Sequence, residues 1–227
     1  MTLACEQCPV RDSAACAVLE QAERAALAKA GRHCALKRGE MLFAAGDDSA
    51  ACATLTSGAL KVTSHDADGN ERILALIHPS GFVGELFTPF ETHDVIALTP
   101  STLCVFVRSE MEAALERYPA LSRALLRRSQ EDLHQARALL VMGSNRSASA
   151  KVGALILSLA RAASHSPCHP AHHFDLPLTR GEMANLLGLT IETVSRTLTT
   201  LEKRGALKRH GARGIELIDP ARLEDKV

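Results

Sequence analysis

The sequence has few aromatic residues: no tryptophan, one tyrosine and six phenylalanines among its 227 residues. A chain of this length can bury one large core or two modest ones, and here Leu, Val, Ile and Ala must fill them. The sequence also lacks an apolar run long enough to span a bilayer, and it has no signal-peptide pattern. We therefore expect no membrane association.

Several kinds of catalytic motif are missing as well. The sequence offers no paired acid and base, no nucleophile elbow and no glycine loop that would cradle a phosphate. We therefore expect that the protein is not an enzyme. The seven cysteines are an odd number in a chain too long to need disulfides. This usage predicts a reducing cytoplasm, with thiols free for metal or redox chemistry.

Net charge gives little information, because 26 Lys and Arg balance 26 Asp and Glu. The two signs are unevenly distributed, however. From Lys151 to the end, 11 Lys and Arg stand against 8 Asp and Glu, so this part of the chain is mildly basic. Such a charge suits a site that approaches phosphates.

The stretch from 178 to 204 predicts two short helices joined by a tight turn. Thr179 is followed three residues later by Glu182, the spacing of a capping box, and Gly188 marks the turn. Thr190 then caps a second helix. The apolar face of that helix comprises Val194, Leu198 and Leu201. A helical hairpin with a merely solvated polar face is the alternative, but capping, turn and spacing together indicate a DNA-binding helix-turn-helix.

The polar face of the second helix would meet the major groove of double-stranded DNA. The candidates for contacts to bases lie in its first turns and are Glu192, Ser195 and Arg196. Two short strands around Gly211–Gly214 follow and predict a wing. The candidates for contacts to the DNA backbone are Thr179, Arg180, Thr190, Thr199, Lys203, Lys208, Arg209 and Arg213.

Three cysteines lie close together near the start, in a C-x2-C-x7-C spacing: Cys5, Cys8 and Cys16. The segment around them looks too polar to form a core, so the thiols need another explanation. Thiolates at such spacing bind zinc or iron–sulfur clusters. The nearby chain offers no fourth ligand at ordinary spacing, and adventitious cysteines are the alternative.

Residues 19–30 predict a short amphipathic helix, and a different pattern follows it. From Cys34 to Val107, short apolar or alternating runs are interrupted by glycine and aspartate. The turn signals are Gly39, Gly46-Asp47, Ser57-Gly58, Asp68-Gly69 and Pro79–Gly81. Many short strands at this regular spacing predict a compact all-β roll or barrel.

Residues 109–142 predict one long helix, with Pro119 near its start. Its apolar stripe comprises Leu121, Leu125, Leu133, Leu139 and Leu140, and it is interrupted by Arg127, Arg128, Glu131 and Asp132. A broken stripe favours a marginal dimer interface, while packing on the roll is an alternative compatible with it. The following Gly143-Ser144-Asn145 indicates a hinge, and a helix from about 148 to 163 opens the DNA-binding domain.

Two sets of motifs together resemble the CRP/FNR family of transcription regulators. Gly39-Glu40-x-Leu42-Phe43-x-x-Gly46-Asp47, the Ser57-Gly58 turn and Gly81-Phe82-x-Gly84-Glu85-Leu86 are similar to this family's cyclic-nucleotide-type β-roll. The helix-turn-helix at 179–204 is similar to its winged-helix domain. The resemblance implies an α+β fold in four parts: a cysteine loop (1–18), a β-roll sensor domain (19–108), a long dimerisation helix (109–142) and a winged helix-turn-helix domain (143–227).

Cyclic-AMP receptors of the family follow Gly-Glu-Leu with an arginine that pairs with the cyclic phosphate. Here no Arg or Lys follows Gly84-Glu85-Leu86 until Arg108, and Glu91 and Asp94 would repel a phosphate. We therefore expect that this roll does not bind a cyclic nucleotide.

The cysteines instead resemble those of the family's FNR-type oxygen sensors. That resemblance implies one 4Fe-4S cluster per chain, with Cys5, Cys8, Cys16 and Cys104 as ligands. The C-x2-C-x7-C spacing differs from the enterobacterial pattern and is similar to that of relatives from nitrogen-fixing and photosynthetic alphaproteobacteria. A lone strand cysteine is otherwise a small core residue, and we interpret the rival ligands Cys34 and Cys52 in this way.

A histidine-rich segment surrounds Cys168 and contains His165, His169, His172 and His173. It could bind zinc or copper, but its Pro and Ser content favours a solvated linker.

The resemblance thus implies a cytoplasmic, oxygen-responsive regulator whose cluster controls dimerisation. The homodimer would bind a TTGAT-N4-ATCAA-like palindrome and contact RNA polymerase. The alternative is a regulator of the same fold that uses a zinc or thiol–disulfide switch, or another ligand in the roll.

Overall fold

The computed structural model describes residues 5–143, 147–164 and 169–223. The chain forms two compact units, residues 1–136 and 137–227. Each unit contains both helices and strands, as an α+β fold requires. No helix in the described part of the chain is long and apolar enough to cross a membrane.

Six α-helices lie in the described part of the chain. Their bounds are α1 (Gln21–Ala30), α2 (Arg108–Arg117), α3 (Pro119–Gly143), α4 (Ala148–Ala162), α5 (Arg180–Leu187) and α6 (Ile191–Lys203). Short 3-10 turns cover Cys5–Gln7, Ala15–Val18 and Pro220–Leu223.

The strands are short, as the recurring turn signals predict. They are β1 (Gly31–Leu36), β2 (Met41–Phe43), β3 (Ala51–Ser57), β4 (Leu60–His65), β5 (Glu71–Ile77), β6 (Phe82–Val83), β7 (Asp94–Ala97), β8 (Ser101–Val107), β9 (His173–Asp175), β10 (Leu207–His210) and β11 (Gly214–Leu217).

Strands β1 to β8 form the predicted roll from two antiparallel sheets, with the orders β1-β8-β3-β6 and β2-β7-β4-β5. Side chains from both sheets share one core, which includes Leu55, Leu60, Val95 and Leu103. The predicted glycine turns also form, since Gly39, Gly46, Gly58 and Gly69 all have positive φ. In the last predicted turn, Ser80 rather than Gly81 takes the left-handed conformation, with φ 77°.

A second core covers the other face of the β1-β8-β3-β6 sheet. Because side chains alternate along a strand, Val105 faces the core between the sheets while Phe106 faces the helices. Leu27 of α1, Met111 of α2 and Leu121 of α3 pack with Phe106 in this helix-side core. The central strands are therefore buried on both faces, which explains their high apolar content.

The single helix predicted over residues 109–142 is wrong in one respect, because the structure has two helices there. Helix α2 ends at Arg117, and α3 begins at Pro119. Tyr118 between them has φ −121° and ψ 86°, outside the helical region. Proline disfavours helical geometry in the residue before it but suits the first position of a new helix, so it ends one helix and starts the next.

The interpretation of residues 1–18 as too polar to contribute to a core is also wrong. Val10 and Ala14 are 4% and 3% exposed. Cys5, Ala15 and Cys16 pack partly buried against the helix-side core. The few apolar residues of this segment are therefore enough to fix it on the roll, while Arg11, Asp12 and Ser13 between them stay exposed.

The C-terminal unit is built from α4, α5 and α6 and a three-stranded sheet with the order β10-β11-β9. Its fully buried side chains include Val152, Ile156, Met183, Val194 and Leu198. Strands β10 and β11 pair antiparallel around Gly211, which has φ 64°. The predicted helix-turn-helix and wing are therefore both present.

Part of the predicted histidine-rich linker is a strand instead. His173 begins β9 and pairs with Glu216 of β11, and the Leu217 N–H donates to the His172 carbonyl at 2.7 Å. Strand β11 pairs with β10 on one side, and β9 takes up the backbone groups on its other side. His165 and Cys168 lie outside the described residues, as do Ser144 and Asn145 of the predicted hinge.

Two glycines with similar φ provide a test of the roll. A Cβ at Gly58 would lie 2.3 Å from Ser101 Oγ and 2.6 Å from the Pro100 carbonyl, whereas a Cβ at Gly69 meets nothing within 4 Å. We expect Gly69→Ala to lower the free energy of unfolding by about 1 kcal/mol, from backbone strain alone. Gly58→Ala should lower it by about 3 kcal/mol or more, because the clash adds to the strain. Urea unfolding measures both, and equal losses would contradict the described approach of Pro100.

Candidate cysteine site and nucleic-acid interface

Tight turns hold the first three cysteines. Cys5 begins the first 3-10 turn, and the Cys8 N–H donates to the Cys5 carbonyl at 3.4 Å. The Arg11 N–H donates to the Cys8 carbonyl at 3.1 Å. Cys16 lies in the second 3-10 turn, Ala15–Val18. The C-x2-C-x7-C segment is thus a compact backbone loop, which we call the cysteine loop (residues 5–18).

Cys104 comes to the same place from the sheet. It lies in β8, opposite His33 of β1 and Thr54 of β3, on the face that carries the helix-side core. Of the six cysteines in the described part of the chain, four line one largely apolar cavity: Cys5, Cys8, Cys16 and Cys104. Its apolar wall includes Leu27, Phe82, Phe106, Met111, Leu121 and Leu125.

The rival cysteines lie elsewhere. Cys34 pairs with Leu103 across β1 and β8 and packs against the core between the sheets. Cys52 is fully buried, and burial, with smaller effects of Glu91 and Glu112, raises its pKa to about 12. Their positions agree with the interpretation of both as structural residues.

The four cavity thiols influence one another electrostatically. Burial raises the pKa of Cys104 to about 12, and Cys8, Cys5 and Cys16 shift it in the same direction. Burial and then Cys8 raise the pKa of Cys5, while burial, Cys8 and Cys5 raise that of Cys16. Their raised pKa values keep Cys5, Cys16 and Cys104 protonated at neutral pH in the metal-free site, so any metal that binds these thiols must displace protons.

Arg24 of α1 is a part of this site that the sequence did not indicate. Its Nη2 donates to the Ala17 and Leu19 carbonyls at 3.1 and 3.0 Å, and its Nε donates to the Cys16 carbonyl at 3.4 Å. It thus fixes the end of the cysteine loop. Its charge also opposes the rise in pKa of Cys5 and Cys16, which favours their thiolate forms.

The donor set fits an iron–sulfur cluster. All four side chains are cysteines, and sulfur is the ligand that such clusters prefer. Within the described ranges, no three His, Cys, Asp or Glu side chains are arranged to hold a single metal ion. A four-iron cluster does not need three ligands around one metal ion, since each of its irons binds a different thiolate.

In the segment after Gly84, a cyclic phosphate would need a cation, but the structure has the Glu85 carboxylate there, bound to neighbouring residues of the same segment. Glu85 accepts hydrogen bonds from Thr88 Oγ1 and from the N–H and hydroxyl of Thr92. Arg108 is engaged with Glu112, at 2.7 Å, and with the carbonyls of Ser49 and Thr88. This geometry favours the expectation that the roll binds no cyclic nucleotide.

The helix-turn-helix is assembled by the predicted capping residues. The Thr179 side chain accepts from the Glu182 N–H and Glu182 returns the bond, so the capping box is complete. Gly188 ends α5 with φ 62° and ψ 42°, and the Thr190 side chain caps α6. Val194, Leu198 and Leu201 are fully buried. Each local signal therefore forms the structure that it predicts.

The predicted base contacts share the opposite face of α6. Glu192 and Arg196 are exposed, and Ser195 is half-buried. Glu192 lies in the first turn, where it accepts hydrogen bonds from its own N–H and from Thr190, and these lower its pKa. A carboxylate acceptor and a guanidinium donor thus lie one helical turn apart on an accessible surface.

The predicted phosphate contacts fall into two groups. Lys203 and Lys208 are exposed, and the hydroxyls of Thr179 and Thr190 lie at the starts of α5 and α6. Three others make contacts within the protein: Thr199 donates to the Ser195 carbonyl, Arg209 pairs with Glu202 at 2.5 Å, and Arg213 donates to the Pro177 carbonyl. Arg180 is half-buried, and its Nη1 has no hydrogen-bond partner among the described residues. Their role towards DNA stays a prediction.

Comparisons with known proteins agree with both halves of the fold. A model of the cyclic nucleotide-binding domain matches residues 33–118, and a model of the Crp-like helix-turn-helix domain matches residues 150–226. The transcriptional activator protein FnrL of Cereibacter sphaeroides is 32% identical over 222 residues, which cover 96% of this chain and 90% of that protein.

The nitrogen fixation regulation protein FixK of Bradyrhizobium diazoefficiens is 33% identical over 225 residues, which cover 97% of this chain and 92% of that protein. The structure of FixK2 from Bradyrhizobium japonicum has the same fold, with a TM-score of 0.77 and 24% identity over 87% of this chain and 98% of that one. These relatives are transcription regulators rather than enzymes. The chain belongs to the CRP/FNR family of DNA-binding transcription regulators.

Proposed function

We propose that this chain is an oxygen-responsive transcription regulator whose sensor is a 4Fe-4S cluster held by Cys5, Cys8, Cys16 and Cys104. The observation that carries the proposal is the convergence of these four thiols, and of no other described cysteine, on one cavity. The regulator acts as a homodimer on double-stranded DNA and contacts RNA polymerase. Activation of transcription is the activity named for FnrL, and we extend it to this chain.

The residues around the cavity suit an oxygen-labile centre. When bound, the cluster supplies the chemistry that oxygen attacks, while the four cysteines supply its ligands. The apolar wall covers one side of the sulfurs, and a less polar environment strengthens the charge interactions between ligands and metal. Cys5, Cys8 and Cys104 also border a more open pocket, which reaches Gln7, His33 and Thr102. Arg24 holds the end of the cysteine loop and adds a positive charge beside thiolates.

The proposed dimer interface lies on α3, along a face with a seven-residue spacing. Leu126, Leu133 and Leu140 are 63%, 50% and 76% exposed. Apolar residues at this spacing form the seam of paired helices. Of the leucines in the predicted stripe, Leu121 is buried in the helix-side core and Leu125 lines the cavity, so these two belong to a different face of α3. A second copy of α3 is the proposed partner of the exposed face.

Recognition of DNA follows from the exposed face of α6. We propose that Arg196 contacts guanine in a bidentate manner, that Glu192 accepts from cytosine N4 and that Ser195 contacts a thymine. Two copies of α6 in a two-fold dimer would read two inverted half-sites one turn of DNA apart. The TTGAT-N4-ATCAA-like palindrome has that symmetry.

The cluster can be tested on protein purified without air. We expect a brown protein with a broad absorption band at about 400 nm and about four irons per chain, both lost in air. Serine substitution of Cys5, Cys8, Cys16 or Cys104 should each reduce the iron content, and Cys34→Ser serves as the matched control. A colourless protein that holds zinc or no metal would contradict the cluster and favour a zinc or thiol–disulfide switch.

The interface can be tested by placing a charge on the exposed face of α3. We expect Leu133→Asp to weaken the dimer at least about 100-fold, because a two-fold interface loses two buried leucines worth about 1.5–3 kcal/mol each. Ala138→Asp adds the same charge at an exposed position off this face and is the control. Sedimentation equilibrium gives both dissociation constants. Similar effects of the two variants would argue against this face as the interface.

Base reading and phosphate contact can be separated by two variants. Arg196→Ala should cost about 1–3 kcal/mol on the palindrome and relax specificity at one guanine, since only a base contact depends on sequence. Lys208→Ala should weaken binding to all sequences and reduce the salt slope by about 1. Fluorescence anisotropy on specific and random DNA at several salt concentrations measures both. Equal losses on the two DNAs after Arg196→Ala would exclude it as a base reader.

A further inference from the structure

Ser13, in the gap between Cys8 and Cys16, makes two contacts that leave the cysteine loop. Its Oγ lies 2.6 Å from the Oγ of Ser80, in the turn before β6. Its carbonyl accepts a hydrogen bond from Nη2 of Arg128 on α3 at 2.8 Å. One residue of the loop is therefore connected both to the roll and to the helix that carries the proposed dimer interface.

Ser80, the residue of the roll that contacts Ser13, is held in place by backbone hydrogen bonds. Ser80 is 6% exposed and has φ 77°, a conformation that non-glycine residues rarely adopt. Its N–H donates to the Leu55 carbonyl of β3 at 2.8 Å, and the Gly81 N–H donates to the His78 carbonyl at 2.9 Å. The hydroxyl that meets Ser13 is thus presented by a strained turn fixed to the sheet.

The position of Ser13 within the cysteine loop is likewise fixed by a local turn. The Ser13 and Ala14 N–H groups donate to the Val10 carbonyl at 3.1 and 2.9 Å. Val10 and Ala14 are both buried. This turn leaves the Ser13 carbonyl free to accept from outside the loop, where Arg128 meets it.

On α3, the contact with the cysteine loop is made by the guanidinium of Arg128. Arg128 Nη1 lies 3.1 Å from Glu131 Oε2, and its side chain is 22% exposed. Its Nε is buried and has no hydrogen-bond partner among the described residues. A hydrogen bond from a guanidinium to a carbonyl is stronger than one between neutral groups. Glu131 and the Ser13 carbonyl therefore orient this mostly buried cation together, and the Ser13 carbonyl is its contact with the cysteine loop.

Arg128 shares a face of α3 with residues at the cysteine cavity. Leu121 and Leu125 line the cavity, and Arg128 follows at helical spacing. The exposed face of Leu126, Leu133 and Leu140 lies roughly a third of a turn away around the same helix. A rotation or shift of α3 that begins at the first face must therefore move the second.

We propose that Ser80, Ser13 and Arg128 form a latch that couples the cysteine loop to the dimer interface; the coupling rests on the function proposed above. When the loop is held at its cysteines, the Ser13 carbonyl is fixed and Arg128 holds α3 in one position. When the loop detaches, the guanidinium keeps Glu131 but loses this acceptor, and it turns towards water because its buried N–H groups would otherwise lack hydrogen-bond partners. The exposed leucines then change position. Arg128 acts through the loop and is a positioning residue, not a ligand.

The test compares dimer dissociation constants of chains with and without iron, all prepared without air. The ratio of the two constants in the unaltered protein measures the coupling. We expect Arg128→Ala to reduce this ratio about tenfold with unchanged iron content, the effect of one charge-assisted hydrogen bond. Arg128→Lys, which keeps the charge, should restore part of it. Arg127→Ala removes the same charge from an exposed neighbour and should leave the ratio unchanged.

A second measurement needs no iron. In the metal-free chain, hydrogen exchange of residues 9–16 should be faster in Arg128→Ala than in Arg127→Ala. Ser13→Ala keeps the carbonyl and removes only the hydroxyl. The double variant Ser13→Ala/Ser80→Ala should therefore change the exchange rates by less than the sum of the two single variants, because the two hydroxyls belong to one contact.

The outcomes separate the latch from the proposed function. If the unaltered chain never takes up iron, the proposed function fails and the coupling fails with it. If the chain takes up iron and Arg128→Ala keeps the full ratio, the latch alone is overturned. Faster exchange combined with an unchanged ratio also overturns it, because Arg128 would then stabilise the loop without affecting α3.

Discussion

The structure depends most on the alternation of side chains along β8. Leu103 and Val105 face the core between the two sheets, while Cys104 and Phe106 face the helices. A shift of register by one residue would exchange these faces and bury the thiol between the sheets. The pairing of β8 with β1 on one side and β3 on the other fixes that register. The meeting of Cys104 with the cysteine loop is therefore a consequence of ordinary sheet geometry.

The parts of the fold with local causes could be predicted from the sequence. The capping box of Thr179 and Glu182 and the left-handed cap at Gly188 need only neighbouring residues. The same holds for the glycine turns of the roll. The end of α2 at Arg117 also has a local cause, the effect of Pro119 on Tyr118. The break itself is hard to predict from the sequence, because the helical periodicity of apolar residues continues on both sides of Pro119.

The candidate site could be predicted only in part. The spacing of Cys5, Cys8 and Cys16 indicates a metal site by itself, but only the family resemblance supplies Cys104, on a distant strand, as the fourth ligand. Arg24, Ser13 and Arg128 could not be identified in this way. The contact between Ser13 and Arg128 joins residues 115 positions apart, and such a contact leaves no periodic pattern in the sequence. The sequence does not reveal the burial of the cysteine loop for the same reason, since the residues that cover it lie in the sheet and helices.

The break before Pro119 has a mechanical consequence. The last backbone bond of α2 runs from the Tyr118 N–H to the Ala114 carbonyl, and Pro119 has no N–H to continue the series. The direction of α3 can therefore change at Tyr118 without loss of a backbone hydrogen bond within either helix, and the hydrogen bond from the Ser122 hydroxyl to the Leu115 carbonyl, at 2.6 Å, is the link that limits this change. The 25 residues of α3 span about 37 Å, so a tilt of about 5° at this joint displaces the far end by about 3 Å. A movement smaller than an atomic diameter beside the cysteines would thus be amplified along the helix into one comparable with the size of a side chain.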